Sequence, residues 1–79
     1  MVVMQATDVG AVLMHVGSGD CFELNIVGAE IWSRLARDED VAQIAAALAA
    51  EYQIPVERAA ADVAALIAEL SRRGLIAPR

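Results

Sequence analysis

The chain has a single cysteine, Cys21, so an internal disulfide is excluded. With no signal-peptide pattern at its start, the compartment it fits is the reducing cytoplasm. Long hydrophobic runs are missing as well. Met1-Val2-Val3-Met4 is interrupted by Gln5, Thr7 and Asp8, far short of a secretory or membrane-spanning segment. Positive charge is scarce: 6 Lys and Arg against 11 Asp and Glu give a formal net charge of −5. Nucleic-acid binding rests on clustered cations that displace counterions from phosphates, so nucleic acids and anionic membranes are disfavoured as partners. Aromatic residues are few, with one Trp, one Phe and one Tyr. No low-complexity tract, fixed-period repeat or long linker divides the sequence, and residues 1–79 read as one domain.

What is present is apolar and small. Hydrophobic residues make up 58% of the chain, but many are alanines, which favour helix and bury little area each. A domain of this size buries only about 60% of the surface its unfolded chain exposes, so a thin, helix-rich core is expected.

The sequence changes period between Cys21 and Trp32. Phe22 and Leu24 are two apart and read as one face of a strand, whereas Val27, Ile31, Trp32 and Leu35 recur at three- and four-residue steps. Asn25 stands at this junction, where its side-chain oxygen can accept from an unpaired N–H of the first helical turn. Gly28 lets that turn lie close against its neighbours.

Upstream, residues 2–6 form a weakly signalled strand before the break at Asp8-Val9-Gly10. Residues 11–16 alternate more clearly, with Val12, Met14 and Val16 on one face and Ala11, Leu13 and His15 on the other. Both faces are largely apolar, which predicts a central strand. Gly17-Ser18-Gly19-Asp20 offers two glycines for a reversal into the strand at residues 21–24.

Three helices follow. The first is predicted at residues 26–36, and Arg37-Asp38-Glu39-Asp40 interrupts it. Asp40 and Gln43 then have the spacing of a capping box, opening a helix whose stripe is Val41, Ile44, Ala45, Leu48 and Tyr52. Gln53-Ile54-Pro55 ends that helix, and Pro55 suits the first turn of the next. The third is predicted at residues 55–73, with Val56, Ala59, Val63, Leu66, Ile67 and Leu70 as its core stripe. A second stripe, Ala61, Ala65, Ala68 and Arg72, leaves a shallow groove beside it. Gly74 suits a left-handed helix end, from which Leu75 and Ile76 fold back.

No catalytic set emerges. Cys21 and His15 can face each other across the hairpin, but a buried structural Cys and a partly exposed His are the simpler account. One Cys and one His are too few for zinc, and Asp38, Glu39 and Asp40 lack the alternation and glycine of a calcium loop. Gly17-Ser18-Gly19 lacks the Lys and the helix of a phosphate loop. Trp32 at helical spacing is core. No enzyme activity, cofactor or metal is expected.

A binding role has more support. Unless the first strand pairs with it, the strand at residues 21–24 has an open edge able to accept an extended peptide as an added strand. If the small-residue stripe lies along that edge, Ala61, Ala65 and Ala68 form a wall and Leu24 and Leu66 a floor. Arg58, Arg72 or Arg73 is then available to an acidic peptide. Alanines as helix fillers and arginines as a solvated face are the competing account.

Gly10-Ala11-Val12-Leu13, Phe22-Glu23-Leu24-Asn25, Gly28-Ala29-Glu30-Ile31-Trp32, Val41-Ala42-Gln43-Ile44-Ala45 and Leu66-Ile67-Ala68-Glu69-Leu70 through Gly74-Leu75-Ile76 together resemble the PqqD-like family. These small domains are also called RiPP recognition elements. The resemblance implies an α+β, winged-helix-like fold, a small three-stranded antiparallel sheet followed by three helices, with the first strand away from the third. It also implies a protein without chemistry of its own, which binds the leader segment of a ribosomally made precursor peptide between the third strand and third helix and presents it to a modifying enzyme. By position, the contacts implied are Cys21, Phe22, Glu23 and Leu24 on the strand, with Ala61, Asp62, Ala65, Leu66, Glu69 and Arg72 on the helix. Cys21 stands where a polar or aromatic residue is expected.

The wording around Leu24-Asn25, Gly28-Ala29 and Ile31-Trp32 resembles the lasso-peptide leader-binding proteins more than the quinone-pathway member. The partner implied is then a leader peptidase; a radical enzyme using S-adenosylmethionine is the alternative. Two rivals from other classes are a winged-helix transcription regulator and an adaptor that dimerises through its own sheet edge. The acidic balance and Ala-rich third helix count against the regulator, whose reading helix needs Arg, Lys, Asn or Gln for base edges.

Overall fold

In the computed structural model, which describes residues 1–76, three strands precede three helices: β1 (Val2–Thr7), β2 (Gly10–His15), β3 (Cys21–Asn25), α1 (Ile26–Ala36), α2 (Val41–Tyr52) and α3 (Val56–Arg72). The chain forms two compact units, Met1–Glu30 and Ile31–Arg79.

In the first unit the strands form one antiparallel sheet in the order β1-β2-β3. Val2 pairs with His15 and Thr7 with Gly10; Met14 pairs with Cys21 and Ala11 with Leu24. Paired residues share a face, so Ala11, Leu13, Phe22 and Leu24 lie on one side, and Val12, Met14, Cys21 and Glu23 on the other. Ala11, Leu13 and Leu24 are buried, whereas Met14, Cys21 and Glu23 are exposed. The central position expected of β2 is therefore correct, but its reason is not: β2 buries one face rather than two.

Local chemistry accounts for the turns. β2 stops at His15, one residue short of the expected end, and the His15 N–H donates to the Asp20 carbonyl at 2.9 Å. His15 Nδ1 accepts from the Ser18 N–H at 3.2 Å, and the Gly19 N–H donates to the His15 carbonyl at 2.7 Å. Only Gly19 of the two glycines has positive φ, at 78°. At the strand-to-helix corner Asn25 Oδ1 accepts from the Gly28 N–H at 2.8 Å, the cap expected there. A Cβ on Gly28 would meet Leu24 Cδ2 at 3.3 Å, a close contact with a side chain that can shift.

In the second unit α2 packs against α3. Ile44, Ala45 and Leu48 of α2 and Ala59, Val63, Ile67 and Leu70 of α3 are buried, as are Ile31 and Leu35 of α1 and Leu75 beyond α3. Each large aliphatic among them contributes about 1.5–3 kcal/mol of apolar burial. Val56 and Tyr52, both placed in core stripes by spacing, are exposed, and Leu66 is half-buried. Tyr52 is the last residue of α2 and Val56 the first of α3, where a helix end leaves them uncovered, whereas Leu66 lies at the margin of its stripe.

Asp40 and Gln43 make the complete capping box: the Gln43 N–H donates to Asp40 Oδ1 and the Asp40 N–H to Gln43 Oε1, each at 2.8 Å. Pro55 lies just outside α3 rather than in its first turn, with its carbonyl accepting from Arg58 and Ala59. Each helix ends on a left-handed residue, and only one of these is glycine: Asp38 at φ 63°, Gln53 at 54° and Gly74 at 72°. Beyond Asp38 and Gly74 the next N–H reaches back to close a Schellman motif, Glu39 to the Arg34 carbonyl at 3.1 Å and Leu75 to the Leu70 carbonyl at 2.9 Å.

Candidate functional site

β3 is an edge strand of the sheet among the described residues. Two bonds define the ladder on both sides of β2: the His15 N–H donates to the Asp20 carbonyl, and the Val16 N–H donates to the Met1 carbonyl at 2.9 Å. Antiparallel pairs alternate between bonded and non-bonded, so Leu13 and Ala11 bond to Phe22 and Leu24, while Met14 and Val12 bond toward β1. The backbone groups of Cys21 and Glu23 are left pointing away from β2. No other strand of the described residues lies beyond β3, and the N-terminal strand that threatened to fill this edge sits on the opposite side of the sheet.

The four strand residues expected at the site divide between two faces. Phe22 and Leu24 face the buried side, where Leu24 is only 6% exposed, so Leu24 is core. Cys21 and Glu23 face the open side. Cys21 is exposed, not the buried cysteine expected, because its partner Met14 lies on the face of β2 that stays open. Its Sγ lies 4.0 Å from the Gly19 carbonyl oxygen. His15 does not pair with it; His15 is opposite Asp20 and shapes the turn.

On α3 the expected residues run along one side at helical spacing. Ala61, Asp62 and Ala65 are exposed, Leu66 and Glu69 half-buried, and Arg72 exposed. Glu69 pairs with Arg72 and, at 2.7 Å, with Arg73. These two arginines therefore already share a carboxylate, which weakens their expected availability to an acidic peptide. Glu39, in the loop after α1, holds Arg34 Nη1 at 3.0 Å and Arg37 Nη2 at 3.4 Å. The cluster of acids at residues 38–40 is thereby divided between helix-end geometry, ion pairs and a cap.

Sequence reasoning missed the part played by Gly10. Its φ is 147°, and a Cβ there would overlap the Leu24 carbonyl oxygen and approach Asn25 Cα to 2.8 Å. The Asp8-Val9-Gly10 break signalled a turn, but not that the opposite strand presses on the glycine. Among the described residues no group of three or more His, Cys, Asp or Glu is placed to hold a metal ion. No described helix is long and apolar enough to cross a membrane.

Two solved structures share this architecture. "TbiB1 in Complex with the TbiA(beta) Leader Peptide" is similar with a TM-score of 0.90 and 29% identity, over 99% of this chain and 91% of that one. "Lasso peptide synthetase B1 complexed with the leader peptide" is similar with a TM-score of 0.86 and 34% identity, over 92% of this chain and 86% of that one. No curated protein matches the chain. The family described as Coenzyme PQQ synthesis protein D (PqqD) matches residues 10–76, which take in β2, β3 and every helix, and the chain belongs to that family.

Proposed function

We propose that residues 1–79 work as one cytoplasmic peptide-binding domain. It captures the leader segment of a ribosomally made precursor by strand addition and presents it to a maturation enzyme, a lasso-peptide leader peptidase. The observation that carries this reading is the unpaired outer ladder of β3, with the backbone of Cys21 and Glu23 directed outward. A guest strand exchanging two N–H···O bonds with each of these residues gains roughly 0.5–1.5 kcal/mol per bond, and side chains supply the rest. The leader peptides named with both structural relatives support the guest, and the lasso synthetase relative supports the enzyme class. Phe22, Leu24, Ala61, Asp62, Ala65, Leu66, Glu69 and Arg72 are the further proposed contacts. The protein itself breaks no bond; it raises the local concentration of precursor at the enzyme.

The test is to read the flanking reading frames for a short precursor and to titrate this chain with a fluorescent peptide covering the leader of any precursor found there. Saturable binding is expected, together with faster cleavage of that precursor by a leader peptidase encoded with it when this chain is added. Absence of binding by a folded protein rejects leader capture. Binding without any effect on the peptidase rejects that enzyme as the partner and turns the search to radical enzymes using S-adenosylmethionine.

A further inference from the structure

The open face of β3 carries one charged side chain, Glu23, which has no ion-pair partner among the described residues. Its own unit, Met1–Glu30, offers it no Lys or Arg. The first Lys or Arg in the sequence is Arg34, while Asp8, Asp20, Glu23 and Glu30 all fall within Met1–Glu30, so the sheet-bearing unit is acidic and has no Lys or Arg. Glu23 is also one of the two residues whose backbone points outward, and a residue directly opposite it in an added antiparallel strand lies on the same face.

We infer that the guest strand carries a lysine or arginine directly across from Glu23, flanked on each side by apolar residues. The flanking positions fall beside Phe22 and Leu24, on the face that the sheet buries. The guest thus reads apolar–basic–apolar. An acidic residue at the central position is rejected by like charge, and an apolar one leaves Glu23 unpaired. The inference rests on strand addition at β3 and specifies the peptide that this edge selects.

A displayed library of random twelve-residue peptides, selected on the full chain, is the probe. Enriched peptides are then titrated against wild type, Glu23→Gln, Glu23→Lys and Cys21→Pro. Cys21→Pro removes an outward donor while keeping the Glu23 charge, so loss of binding there marks peptides that use the β3 edge. Among these peptides a Lys or Arg between two apolar residues is expected. Their affinity should fall about two- to fivefold in Glu23→Gln, the range of an exposed cross-strand ion pair, and Glu23→Lys should prefer acidic central residues. Edge-dependent peptides with no basic bias, bound equally by Glu23→Gln, overturn this inference and leave strand addition standing. Peptides bound equally well by folded Cys21→Pro overturn strand addition, and the inference with it.

Discussion

Gly10 lies against the Leu24 carbonyl oxygen so closely that no Cβ fits between them. The contact fixes the start of β2 against the end of β3, next to the corner where α1 begins. Gly10→Ala has to move the backbone of both strands and also forces an alanine to φ 147°. A loss of about 3 kcal/mol or more is expected. Gly28→Ala is the comparison: its Cβ meets side-chain carbon at 3.3 Å, and the better helix propensity of alanine offsets the crowding. It should stay within about 1 kcal/mol of wild type. Urea unfolding of the two variants separates the cases.

Proline scanning of β3 should follow its hydrogen-bond alternation. Phe22 directs its N–H into the ladder with β2, and Phe22→Pro is expected to destabilise by about 3 kcal/mol. Cys21 directs its N–H outward, so Cys21→Pro should keep the circular dichroism of the folded protein yet lose leader binding at least tenfold. Retained binding in a folded Cys21→Pro protein counts against the edge.

Leu66 is half-buried on the side of α3 opposite none of its buried stripe but beside it, and a charge there is tolerated better than at Ile67. Leu66→Asp should leave the protein folded and abolish binding of the leader peptide. Glu39→Ala removes the anchor of Arg34 and Arg37 at a cost of about 1 kcal/mol or less, and it should bind the leader as wild type does. Equal losses of affinity in the two variants, measured by fluorescence anisotropy, reject Leu66 as a contact.

Helix ends offer changes of opposite sign. Asp40→Ala removes the capping-box acceptor and should lower stability by about 1 kcal/mol. Gln53→Gly relieves a left-handed backbone, at φ 54°, in a residue with a Cβ, and should raise stability by about 0.5 kcal/mol. Thermal unfolding of the single and double variants should show the two effects adding, because the sites stand at opposite ends of α2.

Much of the architecture was legible in local chemistry. The period change around Asn25, the Asp40–Gln43 spacing and Gly74 each specify a short-range event, and each is realised by bonds spanning three to five residues. The ends of the first two helices were placed correctly, but the left-handed conformations of Asp38 and Gln53 were not foreseen, because neither residue has the conformational freedom that marks glycine as such a cap. The exposure of Cys21 and the partial exposure of Leu66 were misjudged for another reason. Periodicity says which residues share a face, but burial depends on what, if anything, covers that face.

The sequence by itself determined the element order, the hairpin turn at residues 17–20 and the caps at Asn25, Asp40 and Gly74, because each depends on residues close together in the chain. Its resemblance to a known family also carried the expected strand order. Only the tertiary structure decided which edge of β3 stays open, which of its side chains face outward, and why Gly10 is required. Those outcomes depend on pairing between distant segments: a strand has two edges and two faces, and its own residues do not say which of them the rest of the chain will occupy.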